Sequence, residues 1–321
     1  MTGRVRSCPL CDAKEAQLLH TSDLQSPAGE PYRVVACVEC GMRYTHPMPT
    51  AAELDRYYGD DYYVQNKPRL LSADLFRLLF QRSVLWKHRR ALLGRRPGRI
   101  LDHGCGNGDF LADLSSRGWR AYGVEYSEAA CKIARAKGAT VHQGDLSGAR
   151  FPAGSFDVVT LWHVLEHLPY PRAEIAEIGR LLRDDGLLII EVPNSDSVTF
   201  RICGLHWYPL DVPVHLQHFT AETLRRMLKT CGFVPVHCSS FHHWDFTYTF
   251  YSYMDWLGVL KRLRIRVYSA DDYKQASVVS KLAFLAVGVP VAIFAFVQWM
   301  LSLVWTGTGE SVTMVFEQVR Q

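Results

Sequence analysis

The chain has 321 residues, 48% of them hydrophobic and 21% charged, a balance that supports a sizeable core and excludes an intrinsically disordered protein. Its formal net charge of +4 is small, so its meaning lies in where the basic residues cluster. Nine cysteines, with a paired-cysteine motif reached before any apolar run, predict no secretory leader, a reducing compartment, and metal-bound or free thiols in place of disulfides.

Cys8 and Cys11 form CPLC, and Cys37 and Cys40 form CVEC followed by Gly41. Four thiols in two close pairs match a tetrahedral zinc site, and with four protein ligands no position stays open for chemistry. A structural zinc ribbon over residues 1–50 is therefore expected. Residues 51–96 read as a linker with a short helix at 50–58, a tyrosine-rich turn (Tyr57, Tyr58, Tyr62, Tyr63) and a leucine-spaced helix over about 70–93. From Lys67 to Arg99 there are ten Lys or Arg against one Asp, either a solvated basic face or attraction to an anionic surface.

Strand and helix then alternate. Strands are expected at 99–102, 121–125, 140–142, 156–162 and 187–192, and helices at 108–117, 127–137, 172–182 and 220–231. Thr220 and Thr223 suit an N-cap, while Gly118, Gly138 and Gly232 suit helix stops. This alternation implies an α/β, doubly wound parallel sheet with its ligand at the carboxyl ends of the strands.

The first of these strands runs into ILDHGCGNGDF, residues 100–110, with glycines at 104, 106 and 108. A dinucleotide fingerprint requires glycine three positions after Gly106, where Asp109 stands instead. Asp102 on this strand and Glu125 closing the next complete a D-x-G-x-G-x-G site with a ribose-binding carboxylate. Here the chain resembles the class I S-adenosylmethionine-dependent methyltransferases. The resemblance continues through QGD ending at Asp145, SFDVVTLWHVLEHLPYP and HLQHFTAETLRRMLKTCGF, spanning about 8–240 and the last strand. An N-terminal CPLC/CVECG knuckle also recurs in bacterial members of this group. The resemblance implies a seven-stranded Rossmann-like sheet over 97–240 completed by a strand at 310–321. It implies S-adenosyl-L-methionine as cofactor, held by Asp102, Gly104, Gly106, Gly108, Glu125, Asp145, Leu146, Trp162 and His163, with Asp102 ordering the loop more than touching ligand.

Methyl transfer is an in-line displacement, so the protein chiefly aligns donor and acceptor, and an oxygen acceptor gains from a general base. Candidates are His163 and His167 in HVLEH, and His215 and His218 in PVHLQHF. HVLEH also spells an inverted zinc-protease motif, but it follows a strand directly, with Pro169 close behind, and is discounted. A second divalent ion near Glu166 remains open alongside direct base catalysis. His206, Trp207 and Tyr208, and His242, His243 and Trp244, are further acceptor-side candidates weighed against core packing.

Residues 241–309 read as an acceptor-side, membrane-contacting insertion. From Leu282 to Trp305 there is no charged residue, a length sufficient to span a bilayer. If GESVTMVFEQVR supplies the last strand of the same sheet, this segment must leave and return on one side. Gly288 and Pro290 then offer the break of a re-entrant helical hairpin, with Trp299 and Trp305 at the interface and Lys261, Arg262, Arg264 and Arg266 facing anionic lipid. The alternatives are a buried helical pair, an oligomer interface or a true span.

The sequence thus predicts a methyltransferase at the cytosolic membrane face, O-methylating a small-molecule or lipid-linked acceptor of the sugar, glycolipid or isoprenoid type. An RNA methyltransferase is the alternative suggested by the ribbon and basic helix; the uncharged tail and the lack of an Asn-Pro-Pro-aromatic run argue against nucleic acid. A non-catalytic binding module on the same fold is a third reading.

Overall fold

The computed structural model describes residues 7–57, 85, 88, 90–92, 94–240, 245–263, 277–302 and 308–319. Most of the expected basic helix, the tyrosine cluster's side chains, His242, His243, Trp244, Arg264, Arg266 and Trp305 lie outside them.

Eleven strands are described, in two sheets. The larger uses β4 (Arg99–His103), β5 (Arg120–Glu125), β6 (Thr140–Gln143), β7 (Phe156–Trp162), β8 (Leu182–Pro193), β10 (Phe233–Ser239) and β11 (Ser311–Gln318). Its order is β10-β11-β8-β7-β4-β5-β6, with β11 antiparallel to both its neighbours and the pairings from β8 to β6 all parallel. This is the seven-stranded methyltransferase sheet. Ile100, Leu101, Val158, Val159, Leu161, Leu188, Ile189 and Ile190 are fully buried, as parallel strands covered on both faces require.

The helices on this sheet start and stop on local signals. In α2 (Asp109–Ser115) and α3 (Glu128–Ala136) the preceding residues are Gly108 and Ser127, the latter accepting a hydrogen bond from the Ala130 N–H at 3.2 Å. α4 (Pro171–Leu181) begins on proline, and α6 (Ala221–Thr230) on a reciprocal capping box between Thr220 and Thr223.

The smaller sheet, β1-β2-β3-β9, joins β1 (Ala16–Gln25), β2 (Pro31–Cys37) and β3 (Arg43–His46) to β9 (Gln217–His218), which comes from the core. The cysteine-bearing ribbon is therefore stitched to the strand that carries His218. Its exit, α1 (Ala51–Tyr57), is pinned by Tyr32, whose hydroxyl donates to Glu53 at 2.9 Å.

Between β8 and β11 lie α5 (Val198–Cys203), α7 (Asp245–Trp256), α8 (Val259–Leu263) and α9 (Val278–Ser302). Glu310, 1% exposed, ties α5 to α7: it accepts from Thr199, Trp207, Ser197 and, at 2.8 Å, Thr249. Burial raises this carboxyl above its ordinary range against the pull of those donors.

The expected hairpin break is not there. α9 runs through Gly288 and Pro290 as one helix. Its inner row packs on α7, where Gly288 brings the two helices together: a Cβ there would sit 3.7 Å from the Phe250 ring and 3.8 Å from Met254 Cε. That packing holds the helix across the hydrogen bond that Pro290 removes.

Candidate functional site

Strand order reverses between β4 and β7, and the crevice at such a switch point is where open α/β sheets bind ligands. A cavity of about 1050 Å³ opens there, lined from the ends of β4, β5, β6 and β7 and roofed by Met48, Pro49, Thr50, Ala51 and Leu54 at the ribbon exit.

One side is built by the glycine loop. Gly104, Gly106 and Gly108 all have positive φ, of 73°, 50° and 71°. Their burdens differ: a Cβ on Gly104 would come within 2.4 Å of Val164 and one on Gly108 within 2.7 Å of Ala134, whereas a Cβ on Gly106 meets nothing within 4 Å. Gly104 and Gly106 line the cavity; Gly108 serves packing between α2 and α3.

Glu125 lines the same wall while 97% covered, its relative exposure being 3%. Its Oε2 accepts from the Gly106 N–H at 2.9 Å and its Oε1 from the Ser127 N–H at 2.8 Å. The carboxylate expected to take ribose hydroxyls thus also ties the glycine loop to the next helix. Asp145 closes the wall; hydrogen bonds from the Gly148 N–H (2.6 Å) and Ser147 (2.9 Å) hold its carboxyl below the ordinary range. Leu146 is turned into the core, 1% exposed. Asp102 is buried outside the cavity, accepting from Thr160 at 2.6 Å, and burial together with the nearby Glu125 pushes its carboxyl up to about 7.

The other side follows β7. Trp162, His163, His167 and Tyr170 line the cavity. His163 adopts φ 55°, a strained conformation for a non-glycine residue at a site of this kind. Its Nε2 donates to Glu191 Oε1 at 3.0 Å and its Nδ1 stands 3.4 Å from Glu166 Oε1. Burial disfavours charge on this imidazole, yet the two carboxylates outweigh it and hold the pKa up at about 9. Glu191 is itself oriented by Thr313 of the last strand, at 2.6 Å.

His167 behaves oppositely. Burial, reinforced by neighbouring His215, lowers its pKa to about 4. Its Nδ1 donates to the Val214 carbonyl at 3.2 Å, as His215 Nδ1 donates to Pro209 O at 2.8 Å. Each Nε2 therefore carries the lone pair. The two rings meet edge-on at 4.6 Å. Glu166, His167 and His215 bring one ligand atom each within 4.8 Å of one another, and the Glu166 carboxylate, fully buried, has the His163 ring as its ion-pair partner.

His215 and His218 do not line the cavity. His218 Nε2 faces Thr45 Oγ1 at 3.1 Å; that hydroxyl gives its proton to His215 O at 2.6 Å, so the histidine is the donor. With its proton committed to the ribbon, His218 fits a packing role better than the catalytic one expected of it. Sequence reasoning missed the His103–Glu174 pair on the cavity wall, 2.7 Å apart, although His103 stands inside the glycine motif. It also missed Glu191, whose signal was a carboxylate within the apolar run LLIIEV.

The four ribbon cysteines converge as expected. Cys8 and Cys40 sulfurs are 3.4 Å apart, Cys11 and Cys37 3.5 Å, and all four lie within 4.8 Å. Thiolates around zinc at about 2.3 Å stand roughly 3.8 Å apart, so the cage fits a tetrahedral ion. The Leu10 N–H also points at Cys8 Sγ, 3.4 Å away.

Residues 77–238 match the sequence profile of a family described as "Methyltransferase domain". A ubiquinone biosynthesis O-methyltransferase of Nitrosococcus oceani is 33% identical over 118 residues, 34% of this chain and 50% of that protein. A probable S-adenosylmethionine-dependent methyltransferase of Mycolicibacterium smegmatis is 33% identical over 148 residues, 44% and 54%. The chain thus spans about half the length of these curated relatives. Among solved structures, the [4+2]-cyclase SpnF aligns with TM-score 0.52 at 16% identity, covering 85% of this chain and 98% of that one. That likeness concerns the fold alone.

Proposed function

Because the chain belongs to the methyltransferase-domain family, we propose that it is an S-adenosylmethionine-dependent methyltransferase that O-methylates a small-molecule or lipid-linked acceptor of the sugar, glycolipid or isoprenoid class at the cytosolic membrane face. The observation that carries this reading is one cavity with two chemically distinct walls, the Gly104–Gly106–Glu125–Asp145 side and the Trp162–His163–His167–Tyr170 side. The first suits an adenosine: carboxylates for hydroxyls, open backbone at Gly106 and, among the described residues, no cluster of Lys or Arg for phosphate. S-adenosylmethionine, when bound, supplies the electrophilic methyl group. The relative named as a ubiquinone biosynthesis O-methyltransferase supports an oxygen acceptor.

In this reading His163, kept protonated by Glu166 and Glu191, orients groups and does not act as base. His167 accepts the acceptor's hydroxyl proton at Nε2. Its depressed pKa keeps that atom unprotonated at neutral pH, and it takes the proton only as the oxygen's own acidity rises in the transition state. Structural zinc at Cys8, Cys11, Cys37 and Cys40 holds the ribbon that roofs the cavity. Titration calorimetry with S-adenosylhomocysteine tests the assignment: folded protein that binds none at millimolar ligand would overturn it.

A second reading of the acceptor side is supported by the Glu166–His167–His215 cluster, in which one ligand atom from each residue lies within 4.8 Å of the others. A divalent ion ligated by Glu166, His167 Nε2 and His215 Nε2 would polarise the hydroxyl directly, with the Val214 and Pro209 carbonyls fixing both rings. Metal analysis after dialysis against chelator, with turnover measured before and after adding back Mg²⁺ or Mn²⁺, separates the two: unchanged turnover in metal-free protein sinks the ion.

A further inference from the structure

α9 is the helix, among those described, that is long and apolar enough to cross a membrane, and only 11% of its Lys281–Leu301 window is buried. Its inner row is nevertheless docked from Phe284 to Gln298. The Phe284 ring lies 6.4 Å from that of Phe250, Val291 packs in a cluster with Cys203, Tyr253 and Met254, and Tyr253 donates to Gln298 Oε1 at 2.6 Å. Gln298 in turn donates to Thr199 at 2.7 Å, and Thr199 donates to buried Glu310. A crossing helix would carry this polar network into hydrocarbon or break it, so the helix cannot span while it remains docked.

The outer row is different. Leu282, Leu285, Val289, Ile293, Phe296 and Met300 are between 44% and 62% exposed. They form a stripe about 27 Å long at 1.5 Å per residue. No side chain from Leu282 to Val297 carries a polar atom. A protein partner on a patch this size would ordinarily supply and receive about one hydrogen bond per 100–200 Å². This stripe offers none, whereas the acyl region of a bilayer asks for none. Among the described residues beside it, exposed Lys261 and Arg262 end α8 and Lys281 lies in the first turns of α9, charge that anionic headgroups attract. Trp256, 49% exposed at the end of α7, suits the headgroup boundary.

We propose that the outer face of α9 is a docking surface for an anionic lipid bilayer, with the helix lying in the membrane plane as neither a span nor a hairpin. The sheet sets what this docking does. Ser311, the first residue of β11, pairs with Pro193, the last of β8, and Ser239, the last of β10, pairs with Thr313, so α5 and the α7–α9 group leave and rejoin the sheet at the carboxyl edge where the cavity opens. Docking holds that edge at the membrane, and an acceptor with a lipid tail reaches the cavity without leaving the bilayer. This last consequence rests on the methyltransferase reading; the surface itself does not.

The test is flotation of the full-length protein with vesicles of phosphatidylcholine, alone or mixed with phosphatidylglycerol, for wild type and for a Val289→Gln, Ile293→Gln, Phe296→Gln triple variant. S-adenosylhomocysteine affinity and solution mass are measured in parallel. The wild type should float, at least tenfold more strongly with phosphatidylglycerol, and the triple variant should lose at least tenfold of that binding while keeping nucleoside affinity within twofold. Wild-type protein that stays in the aqueous fraction, a triple variant that floats as well as wild type, or a wild-type dimer that the variant converts to monomer would each overturn the proposal. Loss of nucleoside binding in wild type would instead count against the enzymatic reading.

Discussion

Thr45 of the cysteine-bearing ribbon and His218 of the core meet at 3.1 Å, in a hydrogen bond that crosses 173 residues of sequence and joins β3 to β9. The same hydroxyl binds the carbonyl of His215. The ribbon is therefore a wall of the site's foundation and not an appended module.

Removing its metal should be felt in the cavity. One zinc per chain is expected by elemental analysis, and chelation or Cys40→Ser should lower the thermal midpoint by several degrees and weaken S-adenosylhomocysteine binding together. Thr45→Val, which strands a buried N–H and a carbonyl, should cost about 1–3 kcal/mol in urea unfolding.

Glu125→Ala should weaken S-adenosylhomocysteine by roughly 30- to 300-fold in calorimetry, about 2–3.5 kcal/mol, the scale of charge-assisted hydrogen bonds in a buried site. Because the carboxylate also anchors the Gly106 and Ser127 N–H groups, a stability loss of about 1–3 kcal/mol should accompany it. Gly106→Ala should keep the fold better than Gly104→Ala, whose methyl collides with Val164.

Asp102 gives a pH dependence of defined sign. Its folded pKa of about 7 lies above the ordinary 3.8, so the folded state binds its proton more tightly than the unfolded chain does. Stability from this group is greatest below pH 3.8 and falls as pH rises to 7, by at most about 4 kcal/mol, beyond which the loss is constant. Asp102→Asn, which can keep the Thr160 hydrogen bond, should stabilise the protein at pH 8 and do little at pH 4. Urea midpoints at both values check this; equal effects would reject it.

The histidines should separate in turnover assays. His167→Asn should lower kcat by about 10²- to 10⁴-fold with cofactor affinity unchanged. His218→Asn, at the ribbon interface, should act chiefly on stability. A His163→Ala variant leaves Glu166 and Glu191 buried without their shared cation and should lose both stability and activity, the former by about 3–5 kcal/mol.

Sequence alone determined the parts whose causes are local. Apolar runs broken by glycine placed four of the parallel core strands to within a residue or so and the fifth, β8, five residues late at its start; positive φ explains the three loop glycines, and paired thiols announced their cage. Only the tertiary structure decided what depends on distant partners. HVLEH spells two histidines of equal standing, yet the carboxylates of Glu166 and Glu191 hold one charged while burial beside His215 keeps the other neutral. Pro290 reads as a break until α7 packs across it. ILDHGCGNGDF could be recognised because a backbone turn is written in neighbouring residues; proton affinity and docking are fields and contacts, which the fold brings together from opposite ends of the chain.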